Sequence, residues 1–376
     1  MTRTPRAAVG LKDVAAKAGV SVKTVSNVVH GYLHVAPTTR TRVQQAIDDL
    51  NYRPNLSARS LRSSRTGIVA LGLPELDLPY FAELSRWVIA AAARHGWTVL
   101  IDQTDGEVER EQLLMNGIRG QLIDGLIVSP LALGHDDLAA RRDETPLVLL
   151  GERISDGPAD HVAIDNVSAA RTATAHLLGL GRRRVAAIGV QPDRPHGTSH
   201  VRLQGYRMAL AAHGVPYDDR LVARGDDFRR SDGASAMRWL LDAPNPPDAV
   251  FCFSDLQALG AMRVLAERGL RVPEDVAVVG FDDIEEGRYS VPTLTTIRPD
   301  KERIASLAVD LLAARIEGDD LRGPQEMVAP HELVVRESTA GGGPCRARLR
   351  VEPVGEEIAS AYPPAQRTRR AGAPTP

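Results

Sequence analysis

The chain has 376 residues, 43% of them hydrophobic, with a formal net charge of −2 at pH 7. That length allows two or three domains with sizeable cores. Two cysteines, Cys252 and Cys345, cannot frame a fold this large, and no apolar run reaches membrane-spanning length; a disulfide scaffold and a helical membrane protein are excluded. The near-neutral balance hides an asymmetry. Residues 1–65 carry 11 Lys+Arg against 3 Asp+Glu, a net of +8, so the remainder carries −10. A basic head on an acidic body is the electrostatic footprint of phosphate binding confined to one end. With no signal peptide before the first helix, a reducing cytoplasm is the expected setting.

After a short leader, LKDVAAKAGVSVKTVSNVVH (Leu11 to His30) reads as a helix-turn-helix. Val14, Ala15 and Ala18 share one face of the first helix, Gly19 supplies the turn, and Ser21 is placed to cap the second. Val20, Val25 and Val28 then meet the first helix. A third helix follows Pro37, with Val43, Ala46, Ile47 and Leu50 at i, i+3, i+4 and i+7. NLSARSLR (Asn55 to Arg62) is a short amphipathic stretch after Pro54, suited to the minor groove, where a leucine wedge can unstack one base step. A segment this short folds only with DNA and a partner hinge present.

From Gly67 the pattern changes to short apolar runs alternating with helical stretches. GIVALGL (67–73), WTVLID (97–102), DGLIVS (124–129) and LVLL (147–150) read as buried parallel strands. After a crossing near Ile164–Asn166 the rhythm restarts with RVAAIG (184–189), AVFCFS (249–254) and VAVVG (276–280). Two such halves predict two doubly wound α/β subdomains. The expected division is a helix-turn-helix domain at 9–54, a hinge at 55–66 and a core at 67–339. Within the core, one half takes about 67–164 and 297–323, the other about 165–292 and 327–339. The first of these assignments puts the return crossing near Pro292–Ile297. Residues 340–376, rich in Pro and Gly, read as a disordered tail.

These pieces resemble the LacI/GalR family of bacterial repressors over roughly residues 9–338. The most specific are DVAAKAGVSVKTVSNVV, NYRPNLSARSL, HLLGLGRRRVAAIG and GFDDIEEGRYSVPTLTTI. The scarcity of Lys among the basic residues, with abundant Ala, Gly and Pro, points to a GC-rich bacterial genome, and the chain resembles actinobacterial-type members of the family. The resemblance implies a periplasmic-binding-protein-like core, a homodimer on a palindromic operator, and an effector held between the subdomains. It places Val22, Lys23 and Asn27 on base edges, where Lys23 can donate to guanine and Val22 can pack on a thymine methyl. Ser21, Thr24, Ser26, His34, Thr39 and Tyr52 fall at DNA-contacting positions, mostly on the backbone. Leu61 takes the intercalating position, with Ala58 and Asn55 beside it.

For the effector, the resemblance points to Asp282, Arg202 and Phe228, with Tyr80, Phe81, Thr198 and Ser254 as further pocket positions. A carboxylate and a guanidinium grip vicinal hydroxyls, and a ring face stacks on a sugar or a nucleobase. Gly151 and Ser254 depart from the more polar residues of many members, which removes polar contacts from the expected pocket. A sugar is the expected effector, with a purine as alternative. Catalysis is not expected: the chain has no phosphate-binding loop, nucleophile elbow or dinucleotide fingerprint. His196 and His200 lie four apart, but with no acidic or Cys ligand close in sequence no metal site is expected, nor any cofactor. A transport binding protein would share the core fold without the helix-turn-helix. An architectural DNA binder would have a dry, filled cleft.

Overall fold

The computed structural model describes residues 9–29, 32, 34–52, 65–117, 122–154, 157–192, 197–318 and 323–340. The expected wedge stretch, with Asn55, Ala58 and Leu61, lies outside the described residues, as do His196 and the chain beyond Ala340.

Three helices open the chain: α1 (Leu11–Ala18), α2 (Val22–Val29) and α3 (Pro37–Asp49). Gly19 ends α1 with φ +62°, a conformation that suits glycine, and its N–H returns to carbonyls of α1. Ser21 then starts α2, its Oγ accepting the Thr24 N–H at 3.1 Å. Val14, Ala15 and Ala18 meet Val25, Val28, Val43 and Ala46 in a small core of their own. The helical spacing of these side chains is what makes the three-helix unit close.

The first α/β half contains β1 (Ile68–Leu73), α4 (Pro79–Arg94), β2 (Thr98–Gln103), α5 (Val108–Met115), β3 (Gly125–Val128), α6 (His135–Ala139), β4 (Leu147–Leu150) and β5 (Asp160–Ile164). The second contains α7 (Asn166–Gly179), β6 (Val185–Val190), α8 (Thr198–Ala212), β7 (Val222–Arg224), α9 (Arg230–Leu241), β8 (Ala249–Cys252), α10 (Asp255–Glu267), β9 (Ala277–Phe281), α11 (Glu285–Tyr289) and β10 (Thr295–Pro299). The chain then returns through α12 (Lys301–Ile316), β11 (Glu326–Ala329), β12 (His331–Val334) and α13 (Glu337–Ala340).

Each half is one six-stranded sheet, in the orders β11-β5-β4-β3-β1-β2 and β12-β10-β9-β8-β6-β7. All pairings are parallel except β12 against β10. Strands β3, β4, β8 and β9 are buried along their whole length, as parallel strands covered on both faces should be. WTVLID departs from the expectation of a buried strand. It forms β2 at the edge of its sheet, leaving Leu100 and Ile101 more than a third exposed.

The chain crosses between sheets three times: after β5, between β10 and α12, and at Pro330 between β11 and β12. The second crossing falls at Pro299–Lys301 rather than Pro292–Ile297. Pro292 reads as a breaker, yet Thr295–Ile297 continue the second sheet by pairing with Val279–Phe281. Glu326–Ala329 likewise belongs to the first sheet, beside β5. Its half-exposed pattern carries little apolar signal.

Candidate functional site

Two places gather chemistry. On the three-helix unit, Val22 and Lys23 are exposed on the first turn of α2, with Thr24, Ser26 and Asn27 half-buried beside them, while Val25 and Val28 anchor the opposite face. Ser21 is exposed but committed to the cap and to Thr24 Oγ1 at 2.8 Å. His34 is exposed and Thr39 half-buried. Tyr52, expected at a position that contacts the DNA backbone, lies mostly inside its unit. It is 9% exposed, packed into the three-helix core, and burial pushes its hydroxyl pKa upward.

The second place is a cavity of about 160 Å³ between the sheets, at the C-terminal ends of strands from both halves. Tyr80, Phe81, Thr198, Arg202, Phe228, Ser254 and Asp282 all line it. Tyr80 and Phe81 begin α4 and meet edge to face, with ring centres 5.2 Å apart. Arg202 reaches in from α8, 8% exposed. Its Nε donates to Asn166 Oδ1 at 2.7 Å, Nη1 donates to the Phe253 carbonyl, and the guanidinium lies 3.4 Å over the Phe281 ring. Nη2 takes no partner among the described residues.

Asp282 follows β9 with φ +119°, a conformation an L-residue rarely adopts, and its N–H donates to Ile297 O at 2.8 Å. Burial raises its carboxyl pKa to about 7, with Arg202 opposing the rise and Asp255 adding to it. Its carboxylate neither caps α11 nor pairs with an arginine. Asp255 Oδ2 receives the Ile284 N–H at 2.9 Å, and the buried Asp283 is the partner of Arg288 and Arg336. The side chain beside Arg202 is therefore left to the cavity.

Phe228 sits in a loop at φ +56°, and Ser254 fixes that loop. The Ser254 hydroxyl donates to Phe228 O at 2.9 Å and accepts the Gln257 N–H at 3.1 Å as the N-cap of α10. Ser254 thus spends its hydrogen bonds on positioning the ring. Thr198 Oγ1 donates to Glu152 Oε2 at 2.9 Å.

Glu152 is the residue that motif reasoning missed. It follows Gly151, whose left-handed φ of +84° turns the next side chain to the cavity. There Glu152 also receives Asn166 Nδ2, so one carboxylate spans the first residues of α7 and α8 from the opposite half. The polar contact that Gly151 lacks is supplied one residue later. At the cavity rim Arg229 bridges the halves, meeting Glu75 and, at 2.9 Å, Asp77.

Residues 10–55 match the family described as "Bacterial regulatory proteins, lacI family", and residues 174–339 match "Periplasmic binding protein-like domain". The chain is 35% identical over 330 residues to the HTH-type transcriptional repressor CytR of Escherichia coli (strain K12), covering 88% of this chain and 96% of that protein. Among solved structures, a transcriptional regulator CelR–cellobiose complex is 38% identical, with a TM-score of 0.65 and coverage of 88% and 99%. The lac repressor dimer bound to operator and the anti-inducer ONPF is 29% identical, with a TM-score of 0.77 and the same coverage. With the helix-turn-helix unit, the two-sheet core and the cavity between the sheets, these matches show that the chain belongs to the LacI family of DNA-binding transcriptional regulators.

Proposed function

We propose that this protein is a homodimeric repressor of a metabolic operon, releasing or gripping a palindromic operator according to a sugar held between its two core halves. The observation that carries this reading is the cavity. Arg202, Asp282, Phe228 and Glu152 converge on it from both sheets, beside the edge-to-face rings of Tyr80 and Phe81 on α4. Hydroxyl-rich ligands need that combination of carboxylate, guanidinium and ring face. Its volume of about 160 Å³ suits a ligand of one ring with its substituents. A filled cleft, as an effector-free DNA binder would have, is not what these residues build.

Val22, Lys23 and Asn27 are the proposed base readers, with Ser21, Thr24, Ser26, His34, Thr39 and Tyr52 near the phosphates and Asn55, Ala58 and Leu61 in the minor groove. Exposed apolar side chains support dimerisation: Tyr289 is 78% and Val291 96% exposed, and Leu100 and Ile101 lie open on β2. A regulator of this kind performs no catalysis and works in the cytoplasm, on the nucleoid. Among the described residues no helix is long and apolar enough to cross a membrane. Purine sensing is the second reading, favoured by the aromatic pair at Tyr80 and Phe81, onto which a base would stack.

The test uses the full-length protein on an operator selected from random duplexes. Fluorescence anisotropy then follows binding as sugars and nucleosides are added. A sugar that shifts operator affinity at least tenfold supports the reading. Absence of any sequence-selected site, or a response to nucleosides alone, would refute it in its first or second half respectively.

A further inference from the structure

We propose that Glu152 sets the charge class of the effector: the cavity takes a neutral or amine-bearing polyol and turns away phosphorylated and acid sugars. This rests on the polyol reading above and narrows it.

Among the described residues, the cavity lining holds four carboxylates, on Glu75, Glu152, Asp227 and Asp282, against two guanidinium groups, on Arg153 and Arg202. Both cations are largely committed. Arg153 donates to the carbonyls of Leu133 and Ala132 at 3.1 and 3.0 Å, which anchors the wall loop. Arg202 holds Asn166 and the Phe253 carbonyl, with only Nη2 of its nitrogens left open among the described residues. Glu75 is the one lining carboxylate with a close arginine of its own, Arg229.

An incoming phosphate would seek donors at the beginnings of helices, where backbone N–H groups and the helix dipole favour negative charge. Here Glu152 already takes the side-chain donors at the starts of α7 and α8. Its Oε1 receives the side-chain Nδ2 of Asn166 and its Oε2 the Thr198 hydroxyl, and those two residues open α7 and α8. The protein's own carboxylate stands where an anionic substituent would dock. A second negative charge there would face Glu152 in a partly desolvated space, beside Asp282, whose own ionisation burial already disfavours, and like charges at short range are costly. Hydroxyls and ammonium groups, which donate hydrogen bonds to carboxylates, are accepted by the same walls. Glu152 therefore acts on the ligand twice, directly as an acceptor and by withholding Asn166 and Thr198 from an anion.

The experiment titrates full-length wild type and Glu152→Gln by calorimetry at constant ionic strength. Its probes are matched sets: glucose, glucosamine, glucuronate and glucose 6-phosphate; ribose and ribose 5-phosphate; adenosine and adenosine monophosphate. For wild type, the anionic member of any set that binds should be at least tenfold weaker than its neutral parent, with the amine form equal or tighter. Glu152→Gln should narrow that gap several-fold, and Glu152→Ala serves if the glutamine variant melts early. An anionic member that binds wild type as tightly as its parent overturns the proposal. A gap unchanged in both variants removes Glu152 from it. Binding confined to the adenosine set would sink the sugar reading while leaving the charge rule to be judged on that pair. Silence from every neutral probe counts against the polyol site itself.

Discussion

Asp282→Asn separates a ligand-binding carboxylate from a structural one, because the two roles move stability in opposite directions. Burial raises the carboxyl from 3.8 to about 7, against the pull of Arg202. A carboxyl whose folded pKa exceeds its unfolded value holds its proton more tightly in the folded state. Its cost to stability is therefore absent below about pH 4, grows as pH rises through the window from 3.8 to about 7, and levels off above. At ~1.4 kcal/mol per pH unit, a gap of about three units corresponds to ~4 kcal/mol for a sealed group. The side chain faces an open cavity that admits water, so roughly half, ~2 kcal/mol at pH 8, is the expectation. For a chain this size that amounts to about 2–6 °C in Tm.

The assay is a melting series from pH 5 to pH 8.5 on wild type and Asp282→Asn without ligand. The variant should melt about 1–2 °C above wild type at pH 5, where roughly a third of the cost is already present, and a few degrees higher at pH 8. Asp255, itself raised to about 6 by burial, is present in both proteins and largely cancels in the difference. The same variant should lose the effector response while binding operator normally, since a ligand shifts an equilibrium only by its differential affinity for the two states. A variant that melts lower at every pH, yet still responds, would refute the assignment of this carboxylate to the cavity.

Four further outcomes are expected. Lys23→Ala should change the consensus recovered from a random-duplex selection, because the side chain is exposed on the first turn of α2; an unaltered consensus would mean that Lys23 does not read bases. Leu61→Ala should weaken specific operator binding by about 1–3 kcal/mol and leave effector affinity intact, measured by anisotropy and calorimetry. Gly205→Ala places a Cβ 2.2 Å from Val167 O and 2.9 Å from Arg171 N, so α7 and α8 must part. That should cost about 1–3 kcal/mol in denaturant melts, and an unchanged midpoint would disprove the close packing. Arg229→Ala cuts the rim bridge to Glu75 and Asp77, a partly exposed pair. Effector dissociation should speed by about two- to fivefold in stopped flow, with little change in Tm.

What could be read from the chain was what repeats along it. The three-helix unit declared itself through Val14, Ala18, Val25 and Val43, spaced so that all four face one small core. The strands declared themselves as apolar runs, and the pocket residues lay at or beyond strand ends, where a parallel sheet opens to ligands. Glu152 was hidden because its position depends on a backbone rotation at Gly151, one residue after a strand that reads alike with or without it. Ser254 was visible as a polar residue in the right place, but not as the cap that spends its hydroxyl on Gln257 and Phe228. Tyr52 carries no periodic signal, since it follows α3 rather than lying within it, and only the folded core shows its ring inside. The second crossing was misplaced because local composition around Pro292 resembles a break, while β10 is specified by a partner strand more distant in sequence.

The placement of that crossing matters for how a cavity could speak to a DNA-binding head. Because β10 ends at Pro299, α12 starts beside the cavity rather than at a distance from it. Its first residue, the buried Lys301, binds Glu83 on α4 and lies 3.5 Å from the carbonyl of Asp283, next to the cavity-lining Asp282. Its last residue, Ile316, accepts Arg65 Nη2 at 2.6 Å. Asp124 holds the next two residues, receiving the N–H groups of Thr66 and Gly67 at 2.6 Å each. Sixteen helical residues span about 24 Å. A helix buried along Ile304, Ala308, Leu311 and Leu312 resists bending, because the close-packed interior on that side leaves it nowhere to go. If the halves close on a ligand, the distance between Asp283 and Glu83, the two groups that Lys301 joins, is expected to change. That strain would have two exits: break the Lys301 tie, or shift α12 as a unit and carry Arg65 with it. The second needs no chain of repacked side chains, only one stiff element with the cavity at one end and Arg65 at the other.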